Sequence, residues 1–229
     1  MGHGTTQTGG EVWVELTRRP GQGAGISGST AVGITPRFSL SASADLTEFY
    51  PVVKHRGVSF TVATIYVLAR AANAIPEFRR QIRTGEVVEH SIVHPSTTIL
   101  TDEDLFSLYT IDCVEDFSLF AERAAEQIAD VQQHPTLKNG PGRDDLLYMT
   151  AIPWVSFTSF MHPPDHPANP VPRFAWGRFY QDGESRKMPL RVQAHHAPMD
   201  GVHMGSSMPK YRTSCAILVL FWFRRRGAA

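Results

Sequence analysis

Residues 188–205, MPLRVQAHHAPMDGVHMG, combine the alternation of a β-strand with a turn that follows two adjacent histidines. In an extended strand, successive side chains point to opposite faces. One face is therefore predicted to carry Leu190, Val192, Ala194 and His196. The other face carries Arg191, Gln193 and His195. The two histidines are predicted to face opposite ways, so only one of them can readily serve a single site.

His196 is the candidate general base of this segment. It ends the predicted strand, directly before a turn at Pro198–Gly201, where a side chain is both rigidly held and reachable by substrate. The ordinary pKa of histidine lies near neutral pH, which suits a group that accepts a proton during catalysis. On the residues alone, a structural or merely exposed histidine pair remains an alternative.

The same segment contains the residue types of a metal site, so a metal-dependent hydrolase is a second alternative. Its candidate ligands are His195, His196, Asp200 and His203, with His162 or His166. Adjacent strand histidines diverge, however, and no HExxH or similar ligand spacing is present, so we expect no metal. A dinucleotide site at Gly23–Gly28 is disfavoured as well, because no helix pattern follows these glycines.

Outward from this segment, helical and strand patterns are interspersed along the chain. Two helices are predicted, over Val58–Ile75 and Val114–Gln132, and the apolar residues of the second recur at spacings of three and four. Strands are predicted over Phe38–Ala44, Val87–Leu100 with a break at Pro95, Leu147–Phe160, Arg173–Tyr180 and Leu190–His196. We therefore predict an α/β fold, a two-layer sandwich with a mixed β-sheet.

The composition suits one globular domain whose partner is a small-molecule substrate or another protein. The 229 residues are 42% apolar, and 22 basic residues balance 22 acidic ones, so no net charge draws the chain to nucleic acid or to an acidic membrane. The widely spaced Cys113 and Cys215 suit a reduced, cytoplasmic compartment. The first ten residues lack the pattern of a secretory signal. The apolar run 215–223 is much shorter than the roughly 20 residues that span a bilayer, so we expect a buried strand or helix there. A membrane-surface anchor, with Arg224, Arg225 and Arg226 at the headgroups, is the less favoured alternative.

Four segments resemble the chloramphenicol acetyltransferase family. They are FYPVVKHRGVSFTVATIYVLARAANAIPEFR (49–79), GEVVEHSIVHPSTTIL (85–100), AIPWVSFTSF (151–160) and MPLRVQAHHAPMDGVHMG (188–205). Together they cover most of residues 38–206. The pattern HHxxxDG also occurs in other CoA-dependent acyltransferases, whereas PEFR, IPWVSFTSF and MPL point to this family.

The resemblance implies a cytoplasmic homotrimer that transfers the acetyl group of acetyl-CoA to a hydroxyl of a small molecule, chloramphenicol in the first place, and so confers antibiotic resistance. His196 would remove the proton from that hydroxyl, which attacks the thioester directly without an acyl-enzyme. Catalysis should then fall as the imidazole becomes protonated. Thr150 stands where the family has a serine whose hydroxyl donates to the oxyanion, and threonine keeps that hydroxyl.

The resemblance also implies roles for three further residues. Asp200 matches an aspartate that holds an arginine and fixes the turn, a structural role at the site. Arg178 and Tyr180 lie on a strand near the CoA tunnel, so they are candidate CoA contacts, although a solvated strand face is an equally good interpretation. The active sites of the implied trimer lie between subunits, with His196 facing an acceptor pocket of the neighbour.

Both ends of the chain depart from the family pattern. Residues 1–36 are rich in glycine and are predicted to be mostly loop, where the family has a basic, aromatic-rich helix that supplies the arginine partner of the aspartate. Arg18 and Arg19 are the nearest candidates for that partner, and Ala175 replaces a family threonine. We divide the chain into a divergent segment 1–36, an acetyltransferase domain 37–206 and a divergent tail 207–229.

Frameshifts at both ends are one hypothesis for this departure, and translating the coding DNA in the other two frames would test it. A different acceptor, or a non-catalytic protein that keeps the fold, is the alternative function.

Overall fold

The main elements of the described residues are two β-sheets and three α-helices. The computed structural model describes residues 37–83, 86–101, 106–137, 143–163 and 170–205, and the backbone of 5–8 and 11–15. The strands are β1 Thr5–Thr8, β2 Glu11–Glu15, β3 Arg37–Asp45, β4 Arg80–Arg83, β5 Glu86–Glu89, β6 His94–Leu100, β7 Phe106–Thr110, β8 Leu146–Ile152, β9 Arg173–Gly177, β10 Tyr180–Asp182 and β11 Ser185–His195. The helices are α1 Phe49–His55, α2 Phe60–Asn73 and α3 Phe117–Gln133.

The larger sheet has seven strands and is mixed. Its order is β10-β11-β9-β8-β6-β7, and β3 pairs with β11. Strands β6, β8 and β9 run parallel, while β7, β10, β11 and β3 pair antiparallel with their neighbours. The helices α2 and α3 pack against each other, and α2 also contacts β6 and β8. This arrangement confirms the predicted α/β class with a mixed sheet.

The two long helices form where the apolar periodicity predicts them. In α2, ten of the 14 residues are buried, and the Ser59 hydroxyl caps the helix by accepting the Val62 N–H at 3.4 Å. In α3, the Asp116 carboxylate accepts the Leu119 N–H at 2.9 Å. Side-chain caps of this kind satisfy N–H groups that the first helical turn leaves unpaired. Helix α3 buries only one stripe, Phe117, Phe120, Ala124 and Val131, as an amphipathic helix should.

Three local predictions need correction. Pro95 does not break a strand, because it lies inside β6 and its carbonyl still accepts the Ile111 N–H at 3.0 Å. The break between the strands β5 and β6 lies at residues 90–93 instead. The predicted strand Leu147–Phe160 ends at Ile152, and the predicted strand through Tyr180 is interrupted after Gly177. The segment 1–36, predicted to be mostly loop, contributes the two short strands β1 and β2, and its other residues lie outside the described part of the chain.

The smaller sheet has the order β1-β2-β5-β4. The dinucleotide pattern at Gly23–Gly28, the arginines 18 and 19 and the apolar run 215–223 lie outside the described residues. Within the described part of the chain, no helix is long and apolar enough to cross a bilayer.

A partly exposed charge cluster links the two sheets. Arg83, at the end of β4, donates to both carboxylate oxygens of Asp144 at 2.7 and 2.6 Å, and His90 Nε2 lies 3.2 Å from the same carboxylate. Partial burial raises the pKa of Asp144, but the hydrogen bonds from Arg83 and His90 outweigh burial and hold that pKa well below its usual range. The folded state is therefore stabilised by the ionised carboxylate.

This cluster makes stability depend on pH. We expect Asp144→Asn to lower the free energy of unfolding at pH 7 by about 1 kcal/mol. Because the folded-state pKa is depressed, this contribution is complete above the ordinary aspartate pKa of about 3.9 and is lost as the pH falls through the folded-state value. Urea unfolding of wild type and variant at pH 7 and at about pH 3 should give a difference that shrinks at the lower pH. Asp130→Asn, at an exposed helical position, is the control, and an equal difference at both pH values would contradict the prediction.

Candidate active site

His196 is the first residue beyond β11, and its side chain is exposed. Its ring lies 4.9 Å from the ring of Phe38 on β3. His195, by contrast, pairs with Arg37 across the ladder and is only 6% exposed. The two histidines therefore face opposite sides of the sheet, as the strand periodicity predicts. An exposed imidazole at the end of a buried strand can meet a substrate while its backbone stays fixed.

His195 supports the turn that carries His196. Its Nδ1 accepts the N–H of Ala197 at 3.1 Å. This hydrogen bond links the two residues on either side of His196. Burial lowers the pKa of His195, and the nearby Arg37 and His196 lower it further. The lowered pKa favours the neutral imidazole. Because Nδ1 accepts a hydrogen bond, the single proton of the neutral ring lies on Nε2.

Asp200 organises the other side of the same turn. Its Oδ1 accepts the N–H groups of Val202 at 2.9 Å and His203 at 3.2 Å, at the start of the helical residues 201–205. The backbone N–H of His203, first, and the charge of that histidine lower the pKa of Asp200. The carboxylate thus stays ionised and caps the turn. Arg18 and Arg19, the candidate partners of Asp200, lie outside the described residues.

Thr150 lies on the opposite face of the sheet from His196. It is the register partner of Ala175 on β9, and Ala175 is the partner of Arg191 on β11. Because register partners share a face, Thr150 belongs to the face of Arg191 and Gln193. A single chain therefore does not bring Thr150 and His196 together.

The Thr150 hydroxyl contacts a histidine that the sequence suggested only as an alternative metal ligand. His162 Nε2 lies 3.3 Å from Thr150 Oγ1, and the main-chain N–H of His162 donates to Gln193 Oε1 at 3.3 Å. His162 follows the loop 153–161. A lone histidine beside prolines carries no sequence signal for such a contact, since the loop brings it to the sheet only in the folded chain.

The two candidate CoA contacts differ in their surroundings. The side chain of Arg178 is exposed, and its backbone N–H donates to the Val155 carbonyl at 2.8 Å. Tyr180 hydrogen-bonds Ser43 through its hydroxyl at 2.9 Å and lines a cavity of about 340 Å³. Five of the eight residues that line this cavity carry a hydroxyl group: Ser41, Ser43, Ser156, Thr158 and Tyr180. Arg178 is not among the residues that line it.

Gly177 allows the loop 153–160 to lie against the sheet. A Cβ atom there would stand 2.5 Å from the Val155 carbonyl oxygen and 2.9 Å from Pro189 Cγ. Carbonyl oxygen and carbon cannot approach so closely, so the loop would have to move. We expect Gly177→Ala to destabilise the fold by about 1–3 kcal/mol, measured by urea unfolding. Gly205→Ala, where an added Cβ meets no atom of the described residues within 4 Å, is the matched control. Equal stability of the two variants would contradict the close approach.

The described residues offer no metal centre. No three side chains of the metal-ligating types His, Cys, Asp and Glu gather among them in a way that could hold an ion, and His166 lies outside this part of the chain. His195 is buried on one face, His196 is exposed on the other, and His162 contacts Thr150.

Solved structures with the same fold define the class. A chloramphenicol acetyltransferase superposes with a TM-score of 0.70 at 24% identity, covering 79% of this chain and 89% of that chain. A probable dihydrolipoamide acetyltransferase from Listeria monocytogenes superposes with a TM-score of 0.62 at 14% identity, covering 80% and 85%. The chain therefore has the fold of these two acetyltransferases.

Sequence relatives narrow this class. The chain is 31% identical over 180 residues to chloramphenicol acetyltransferase of Escherichia coli, covering 78% of this chain and 82% of that protein. It is 32% identical over 182 residues to chloramphenicol acetyltransferase of a Klebsiella species, with the same coverage. The family model for chloramphenicol acetyltransferase matches residues 31–210. The chain belongs to the chloramphenicol acetyltransferase family and is an acyltransferase.

Proposed function

We propose that the chain transfers the acetyl group of acetyl-CoA to a hydroxyl of chloramphenicol, with His196 as general base. One observation carries the proposal, namely that the second histidine of the HHxxxDG turn is exposed at the end of a buried strand. Its neighbours fix the turn, since His195 accepts the Ala197 N–H and Asp200 accepts two N–H groups beyond it. The relatives named chloramphenicol acetyltransferase support the substrate.

In this mechanism the neutral imidazole of His196 accepts the proton of the acceptor hydroxyl. The hydroxyl oxygen attacks the thioester carbonyl carbon, whose oxygen becomes an oxyanion. When this tetrahedral species collapses, the carbon–sulfur bond breaks and the leaving thiolate takes the proton from His196. The Thr150 hydroxyl donates to the oxyanion, and one such donor contributes about 2.7–4 kcal/mol to transition-state stabilisation.

We propose further that each active site is shared between two copies in a homotrimer. Thr150 and His196 lie on opposite faces of the sheet, so a second copy has to supply one of them if both act in the same site. Large apolar side chains are exposed on the loop next to the Thr150 face, including Trp154 at 66%, Val155 at 54% and Met161 at 72%. An exposed apolar loop of this kind suits contact with another subunit.

The cavity lined by Tyr180 is the proposed binding site for part of acetyl-CoA. Ser41, Ser43 and Pro189, which line it, share a face with Arg191 and hence with Thr150, by the pairing of β3 with β11. We propose Arg178, whose side chain is exposed two residues before Tyr180, as a contact for the charged end of CoA. The buried thiol of Cys113, whose pKa burial raises to about 11, is unreactive and suits a cytoplasmic protein.

Release of free thiol from acetyl-CoA tests the proposal. Purified protein is mixed with acetyl-CoA and chloramphenicol, and then with a panel of other alcohols and amines. Thiol release that depends on chloramphenicol is the expected result. Thiol release with another alcohol but not with chloramphenicol would show a different acceptor. The divergent segment 1–36 favours this alternative. Binding of acetyl-CoA without turnover on any acceptor would contradict the enzymatic proposal.

A further inference from the structure

Three contacts hold His162 beside the Thr150 hydroxyl. Its Nε2 is 3.3 Å from Thr150 Oγ1, and its main-chain N–H binds Gln193 on β11. The ring of Phe160 meets the imidazole edge-on, with 4.9 Å between ring centroids and an interplanar angle of 84°. These contacts come from two strands and from the loop itself, so the position of the imidazole relative to Thr150 is well defined.

The imidazole is neutral at physiological pH. Burial, first, and the charge of Arg173 lower the pKa of His162 to about 4, and Arg191 and Arg37 act in the same direction. The Gln193 side chain raises it by less. A neutral imidazole carries one N–H, which lies either on Nε2 or on Nδ1.

The surroundings of Nδ1 decide between the two positions. Nδ1 is buried and makes no hydrogen bond with the described residues. A buried N–H without an acceptor is rarer and more costly than a buried acceptor without a donor. The proton is therefore assigned to Nε2, which donates to Thr150 Oγ1. In that arrangement the hydrogen of the Thr150 hydroxyl points away from His162 and can donate elsewhere.

We propose that His162 is a positioning residue that holds the Thr150 hydroxyl with its hydrogen directed at the reaction site. A hydroxyl rotates about its C–O bond, whereas a donor fixed on its oxygen restricts this rotation and polarises the O–H bond. His162 does not touch the reacting atoms. The inference rests on the role proposed for Thr150 as oxyanion donor, and it adds the group that orients that donor.

A double-mutant cycle tests the coupling. His162→Leu and His162→Gln are each made in wild type and in Thr150→Ala, and kcat and KM are measured with acetyl-CoA and chloramphenicol. We expect His162→Leu to lower kcat about tenfold with KM unchanged, because the oriented donor contributes to the transition state. His162→Gln, whose amide N–H can replace Nε2–H, should stay within about threefold of wild type. In Thr150→Ala, both substitutions should change kcat less than about twofold.

A purely structural role would give a different pattern. Equal losses from His162→Leu with and without the Thr150 hydroxyl, or a loss in KM alone, would overturn the inference. If the leucine variant does not fold, His162→Met fills the same space and takes its place in the cycle.

A spectroscopic readout separates this inference from the proposed function. ¹⁵N-labelled histidine in the wild-type protein, with His162→Gln for assignment, should show the Nε2–H tautomer and no titration between about pH 5 and 8. A proton on Nδ1 would turn the Thr150 hydrogen toward His162 and overturn the inference. Wild-type protein that lacks activity while showing the Nε2–H tautomer would contradict the proposed function instead.

Discussion

Replacing His196 with alanine is expected to lower the rate of acetyl transfer by about 10²- to 10⁴-fold. Without the imidazole, no group at the end of β11 accepts the proton of the acceptor hydroxyl, while the fold loses only an exposed side chain that contacts Phe38. Thiol release from acetyl-CoA measures the rate, and KM for chloramphenicol should change little, since the loss lies in the transition state.

His134→Ala is the matched control for this variant. His134 is the residue that follows α3, and its side chain is 74% exposed, so its removal should leave both rate and stability near wild type. Thermal unfolding of both variants verifies that the fold is kept. Near-normal turnover by His196→Ala in a folded protein would reject the assigned base.

The second large effect concerns sites shared between copies. Thr150→Ala alone should lower kcat by about 10²- to 10³-fold, and Thr150→Ser should cost little because it keeps the hydroxyl. Two inactive subunit types, His196→Ala and Thr150→Ala, are then co-expressed with different tags, and mixed oligomers are purified through both tags. In a trimer with sites between neighbours, about one site in three regains both groups.

Activity of the mixed protein near one third of wild type is therefore the expected result, far above that of either parent. Mixing the two purified parents without subunit exchange is the control and should remain inactive. Mixed oligomers with no more activity than their parents would show that Thr150 and His196 do not complete one site across a subunit boundary.

Strand and helix periodicity accounted for most of the elements that carry the site. The alternation over 190–196 correctly separated His195 from His196, because a strand has a period of two whatever surrounds it. The spacing of apolar residues likewise located α2 and α3, since each must bury a face. The elements α1 and β7 were not predicted, because they are short and their pattern is weak compared with their flanks.

The relation between Thr150 and His162 could not be read from the sequence. It depends on the loop 153–161 folding back onto β11, which the close approach at Gly177 permits. The position of Thr150 relative to His196 also needed the register of three strands, β8, β9 and β11, which no single segment determines. Pro95 was misread because a proline that contributes only its carbonyl can remain within a ladder.

The turn around His196 takes its support from nearby residues of its own strand and turn, through His195 and Asp200. The loop of Trp154 and Met161 leads to His162, which contacts the Thr150 face of the sheet, opposite to the face of His196. Substitutions of the exposed side chains in that loop are therefore expected to leave the imidazole of His196 in place.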